Sequence, residues 1–131
     1  MNLTIRIPGR IDPDLSPNAR VHHMRRYRAV KEARRAAYYA AVSLFTRGED
    51  DGGGVRFRYD VTVGLAKGEK TKDSDNIVSM LKAAIDGIAD GLGMRNDRGL
   101  RLGTVEQVRD PEGIGYIEFR LTEITGETEA A

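Results

Sequence analysis

The chain reads as an α+β domain, a mixed sheet of about four strands with two main helices. Three observations point there. Leu3–Ile7 and 55–65 alternate apolar and polar residues, and Leu102–Val108 and Tyr116–Leu121 add two more strand-like segments. Two longer segments, Tyr27 to about Thr46 and Asn76 to Gly91, repeat apolar residues at helical spacing. A length of 131 residues holds one domain with a modest core, helped by self-association.

The elements follow in order. Leu3-Thr4-Ile5-Arg6-Ile7 is a strand stopped by Pro8-Gly9, and Ile11 to Asn18 is a turn-rich loop holding Pro13 and Pro17. The Ala- and Arg-rich segment from Tyr27 ends near Gly48, as a helix should. Val30, Ala33, Ala37, Ala40 and Leu44 are its expected core face, with Arg28, Lys31, Arg34 and Arg35 on the other sides. Tyr38 and Tyr39 read as half-buried helix residues, and base stacking by one of them is the rarer alternative. Glu49 to Gly54 is a flexible acidic connection without the spacing of an EF-hand. Val55, Phe57, Tyr59, Val61 and Val63 share one strand face. The second helix has a stripe of Ile77, Met80 or Leu81, Ala84, Ile88 and Leu92, with Lys82, Asp86 and Asp90 as an i, i+4 ladder beside it. A turn around Asp110-Pro111-Glu112-Gly113 joins the last two strands. Residues 3–124 are expected to be structured as a single domain spanning 1–131, with 125–131 a frayed tail.

Composition narrows the chemistry. With no cysteine, disulfides, zinc fingers and thiol nucleophiles are excluded. No apolar run is long enough for a membrane span, and Met1-Asn2-Leu3-Thr4 starts a strand and not a signal peptide, so a cytoplasmic setting without a membrane partner is expected. The net charge of +1 conceals an asymmetry: residues 1–47 carry 10 Lys/Arg and 3 Asp/Glu, or +7, and the remainder carries 11 and 17, or −6. A basic half joined to an acidic half suits a polyanion surface beside a cation site. The stretch from Arg20 to Arg28 is too charged to be buried, and Arg20, Arg25, Arg26 and Arg28 are candidates for phosphate contacts. His22 and His23 fit a DNA contact or plain exposure better than metal ligation, because the flanking arginines oppose a cation.

The acidic half carries Asp73-Ser74-Asp75-Asn76, then Lys82, then Asn96-Asp97. At an extended strand end, Asp73 and Asp75 point to one side. Their repulsion is relieved by a hard cation that prefers oxygen, Mg²⁺ above all. Asp97 offers a third carboxylate. Lys82 lies seven positions after Asp75, about two helical turns, which returns the lysine to nearly the same face. Acids that bind a metal and a lysine that offsets phosphate charge suit phosphodiester cleavage. Asp75 or Asn76 is the expected helix cap, and Asp86 either partners Lys82 or supports the metal site from outside. Lys70 and Lys72, in the loop feeding the motif, either touch DNA or belong to a solvated loop.

These residues resemble the RusA family of Holliday junction resolvases, in particular its phage-borne and actinobacterial-type members. The likeness rests on Lys72-Asp73-Ser74-Asp75-Asn76, on Lys82 through Asp86, on Asn96-Asp97, and on the N-terminal turn Leu15-Ser16-Pro17-Asn18-Ala19-Arg20. It extends from Leu3 to about Glu123. This chain has about one more helical turn between the D-N pair and the lysine, and Asn96 stands where the family often has an acid. The resemblance implies a homodimer with a RusA-like fold that cuts four-way junctions using Mg²⁺, with Mn²⁺ a possible substitute. It further implies metal binding by Asp73, Asp75 and Asp97, a catalytic Lys82, and supporting roles for Asn76 and Asp86. Two other classes fit the residues less well: a branched-DNA-binding protein without catalysis, and a Mg²⁺-dependent hydrolase of small phosphate esters.

Overall fold

A computed structural model describes residues 2–44, 56–94 and 97–124. Its strands are β1 (Asn2–Pro8), β2 (Phe57–Leu65), β3 (Leu100–Arg109) and β4 (Tyr116–Glu123). Its helices are α1 (His23–Val42), α2 (Ser74–Met80) and α3 (Lys82–Gly91), and short 3₁₀ turns occupy Pro13–Leu15 and Asp97–Gly99. The sheet order is β1-β4-β2-β3. β4 runs antiparallel to β1 and β2, and β2 and β3 are parallel. The fold is therefore α+β with a mixed four-stranded sheet, as expected. A parallel pair needs a crossover, and α2 with α3 supplies it.

Period-two alternation builds the core. Ile5, Phe57, Val61, Val63, Leu65, Ile117, Phe119 and Leu121 are buried on one face of the sheet. Ile77, Met80, Leu81, Ala84, Ile85, Ile88 and Leu92 meet them from the crossover helices. The opposite face is polar: Arg6 and Arg120 pair with Glu118, and Arg58 pairs with Asp60. Asp60 fills the irregularity where β3 uses one more residue than β2, accepting hydrogen bonds from the Thr104 N–H at 2.8 Å and hydroxyl at 2.9 Å. Burial pushes the Asp60 carboxyl up, but these bonds and Arg58 outweigh it and hold the carboxyl below its usual range.

α1 lies against α3 more closely than branched side chains allow. A Cβ on Gly87 would collide with the carbonyl oxygen of Arg34. One on Gly91 would stand 2.8 Å from the Cβ of Ala41. The buried residues of α1 are accordingly Ala29, Ala37 and Ala41. The expected face of Val30, Ala33, Ala37, Ala40 and Leu44 needs correction, since Val30 and Leu44 are 40% and 49% exposed. Alanines let the backbones approach, and the bulkier residues are turned outward. Thr46, Val55, the acidic 49–54 connection and the 125–131 tail fall outside the described residues. No described helix is long and apolar enough to cross a membrane.

Candidate functional site

The loop that leads into the acidic motif is built with care. β2 ends at Leu65, and Glu69 turns back beneath the loop, only 4% exposed. One Glu69 oxygen accepts from the Ala66 N–H at 2.8 Å, and the other meets the Lys72 ammonium at 2.7 Å. Arg109 donates to the carbonyls of Ala66 and Glu69, each at 2.7 Å. Gln107 grips the Lys72 backbone twice, accepting from its N–H at 2.8 Å and donating to its carbonyl at 2.7 Å. Burial pushes the Glu69 carboxyl up, but the Lys72 and Ala66 hydrogen bonds overcome this and leave it lowered. Lys72 thus has an internal role, whereas Lys70 is exposed.

Directly after this loop the side-chain hydrogen bonding stops, although the Asp73 carbonyl accepts from the Ile77 N–H at 3.1 Å. Asp73 is the N-cap of α2, with extended backbone (φ −62°, ψ 143°) and no hydrogen bond from its side chain to the helix. Asp75 lies in the first turn, where the helix dipole favours negative charge. Both are exposed, and among the described residues neither carboxylate accepts a hydrogen bond or joins an ion pair. The pair sits at a helix start and not at a strand end, so the alternation that would align the two carboxylates does not apply. The cap is Asp73, not Asp75 or Asn76, and Asn76 is half-buried.

The single expected helix from Asn76 to Gly91 is interrupted at Leu81 (φ −87°, ψ −7°). Its N–H is shared between the carbonyls of Ile77 at 3.0 Å and Val78 at 3.2 Å, a local tightening of the turn. The rotation from Asp75 to Lys82 therefore passes through a residue that keeps right-handed helical backbone but departs from regular helix dihedrals. Lys82 opens α3 and binds Asp86 at 3.0 Å, with the lysine side chain 61% exposed. Asp90 does not extend the ladder. It binds Arg34 of α1 at 2.8 Å, and the hydrogen bond and charge of Asp90 raise the Arg34 guanidinium further.

Topology separates the acids. Lys72 is tied to Gln107, whereas Asp97 opens the 3₁₀ turn that enters β3 at Leu100. The seven residues from Leu100 to Gln107 span about 23 Å of strand at roughly 3.3 Å per residue. Asp73 and Asp75 thus stand where β2 leaves the sheet, and Asp97 stands where β3 enters it. Among the described residues no group of three His, Cys, Asp or Glu is close enough to hold a metal. Asn96 lies outside the described residues.

The basic region is partly committed to structure. Arg25 grips Asp14 through two bonds of 3.1 Å, and Arg26 donates to the carbonyl of Ala19 at 2.9 Å. Together they fasten the N-terminal loop to α1. Arg20 and Arg28 are exposed. His22 caps α1, its Nδ1 accepting from the Met24 N–H at 3.1 Å. Sequence reasoning missed this cap, along with Glu69, Gln107 and Arg109. Alternation from Val105 puts Gln107 and Arg109 on the inward side of β3, and inward polar residues require partners. That was the available signal.

No protein-family model matches the chain. A protein of Xylella fastidiosa (strain Temecula1), itself uncharacterized, is 33% identical over 132 aligned residues, which cover 95% of this chain and 77% of that protein. Similarity of that degree over nearly the whole chain means that the two share a common fold, and the chain belongs to the family of this Xylella protein.

Proposed function

We propose that the protein is a Mg²⁺-dependent endodeoxyribonuclease that resolves four-way DNA junctions as a homodimer. The observation that carries this reading is the contrast at Lys72: Glu69, Lys72, Gln107 and Arg109 tie down the loop up to that point, and the next two carboxylates, Asp73 and Asp75, are exposed and have no partner among the described residues. Acids held on a fixed backbone but left without partners suit a hard cation. Asp73 and Asp75 would hold the metal, and Mg²⁺ (or Mn²⁺) bound there would activate water and offset phosphate charge. The Lys82 ammonium is exposed and carried by the same crossover, which suits stabilisation of charge on the phosphate. Asp86 holds that ammonium and so orients it.

Asp97 joins Asp73 and Asp75 across a pair of protomers in this reading, because the β2–β3 pair separates them within one chain. A junction with two-fold symmetry needs two matched cuts, and an isologous dimer presents two sites with that symmetry. Arg20 and Arg28, with Lys70, would contact phosphate directly. Arg25 and Arg26 would add to the field while holding the loop.

A labelled four-way junction and a linear duplex, incubated with Mg²⁺ and run on a gel, test the activity. Mixing Asp75→Asn and Asp97→Asn protomers tests the composite site. If Asp97 acts across the dimer, each mixed dimer contains one intact site and nicking returns. If it acts within its own chain, the mixture stays inactive.

A further inference from the structure

α1 presents an outward face of which the nuclease reading uses only Arg28, at its N-terminal end. The helix carries six Lys/Arg (Arg25, Arg26, Arg28, Lys31, Arg34, Arg35) and one acid, Glu32. Arg28 and Lys31 have no ion-pair partner among the described residues. Near the end of the helix, Tyr38 and Tyr39 are 36% and 58% exposed, with ring centroids 5.2 Å apart and planes at 81°. The Arg35 guanidinium lies 5.9 Å from the centre of the Tyr39 ring. An open groove of about 410 Å³ runs between these side chains, lined by Lys31, Arg34, Arg35, Tyr38, Tyr39 and Asp90.

The face cannot turn inward. The other side of α1 is locked against Gly87 and Gly91 by backbone contacts too close for any side chain. The Arg34–Asp90 pair at 2.8 Å pins the same stretch to α3. The result is a platform that mixes aromatic rings with cations, of which Arg28 and Lys31 have no ion-pair partner among the described residues. A second copy of the chain is a poor occupant, because a two-fold axis would set arginine and lysine against themselves. A polyanion with flat apolar faces suits both features at once.

We infer that the outward face of α1 binds single-stranded nucleic acid, with Tyr38 and Tyr39 stacking on unpaired bases and Arg28, Lys31 and Arg35 meeting the phosphates. Stacking on aromatic side chains tolerates any base, so the contact is not sequence-specific. Arg28 and Arg35 are about 10.5 Å apart along the helix axis at 1.5 Å per residue, enough for a few nucleotides. The site includes none of Asp73, Asp75 and Asp97 and shares only Arg28 with the cleavage reading, so Tyr38, Tyr39 and Lys31 test it independently of cutting.

The test uses the full chain in EDTA and the fluorescence anisotropy of a labelled thymidine oligomer of about ten nucleotides, within the range of known stacking sites. The double variant Tyr38→Ala/Tyr39→Ala should bind it about tenfold or more weakly, and Tyr39→Phe should bind like the wild type. Lys31→Ala, at an exposed position, should flatten the plot of log affinity against log salt by about 0.7. Asp75→Asn should bind the oligomer unchanged, whatever its effect on cutting. Equal affinity of the double variant and the wild type would overturn the inference. So would an equal loss for a duplex of the same length, or the same tyrosine dependence for a polyglutamate probe. Conversion of a dimer to a monomer by the double variant, with oligomer affinity per protomer unchanged, would make this face a self-association surface instead.

Discussion

Two groups of carboxylates lie within a few residues of each other along β2 and its exit, and the chain treats them in opposite ways. Asp60 and Glu69 are engaged: each accepts backbone and side-chain hydrogen bonds, and each is held below its ordinary pKa. Asp110, in the turn that passes over the end of β2, belongs with them and accepts from the Gly115 N–H at 2.8 Å and the Glu112 N–H at 3.0 Å. The Asp73 and Asp75 carboxylates accept no hydrogen bond among the described residues. Acids of the first kind maintain the backbone, and acids of the second kind are left available for something outside the chain. The boundary between them is the three-residue stretch Lys70-Thr71-Lys72.

Exchanging the two kinds breaks the comparison most directly. Asp75→Asn is expected to abolish junction cleavage and leave junction binding intact or tighter, since it removes a metal ligand and local repulsion towards phosphate. Single-turnover cutting and a junction-binding titration measure both, and cutting at the wild-type rate would remove Asp75 from the site.

Lys82→Ala comes next. A role in offsetting transition-state charge predicts a loss of roughly a hundredfold in cutting with junction affinity preserved. A lysine that serves only its exposed pair with Asp86 predicts near-normal cutting and a stability change of a few tenths of a kcal/mol at about the level of surface helix pairs.

Glu69→Ala should reverse the pattern. It leaves the Ala66 N–H and the half-buried Lys72 ammonium without their acceptor. The expected loss is about 1–3 kcal/mol of stability by denaturant unfolding. Its effect on cutting should come only through disorder of the backbone that carries Asp73. A variant as stable as the wild type would refute the tie.

The same acids set a pH dependence. The folded pKa values of Asp60, Glu69 and Asp110 are all lowered. For Asp60 and Glu69 burial acts against the lowering and is overcome, and for Asp110 the backbone donors of Gly115 and Glu112 lead. Lowered carboxyls contribute stability that is present above their unfolded values and lost as pH falls through the folded ones. Stability should therefore be flat near neutrality and decline below about pH 4, the usual range of free carboxyls. Glu69→Gln should make that decline shallower.

The smallest effect belongs to Arg25→Ala. Its pair with Asp14 is exposed on the arginine side, so stability should change by less than about 1 kcal/mol. If Arg25 also meets phosphate, the salt slope of duplex binding should drop by about 0.9, and an unchanged slope would confine it to holding the loop.

Strand and helix periodicity were legible from the residues alone. The pattern from Phe57 to Val63 identified an inward face that the sheet buries, and the stripe of Ile77, Ala84 and Ile88 did the same for the crossover. The α+β class followed from those periods, because apolar faces must meet. The D-S-D-N motif was equally visible as chemistry. Its setting was not. Which acid caps α2, the break at Leu81, and the diversion of Asp90 to Arg34 depend on where α1 and α3 touch. That contact is set by the alanines and glycines, whose small size carries no periodic signal strong enough to locate a crossing. The distance between Asp73 and Asp97 likewise rests on β2 and β3 being parallel, a choice made by long-range pairing and not by any local pattern. Local sequence determined the elements and the available chemistry; only packing across the sheet and between helices decided which carboxylates are tied down and which are left free.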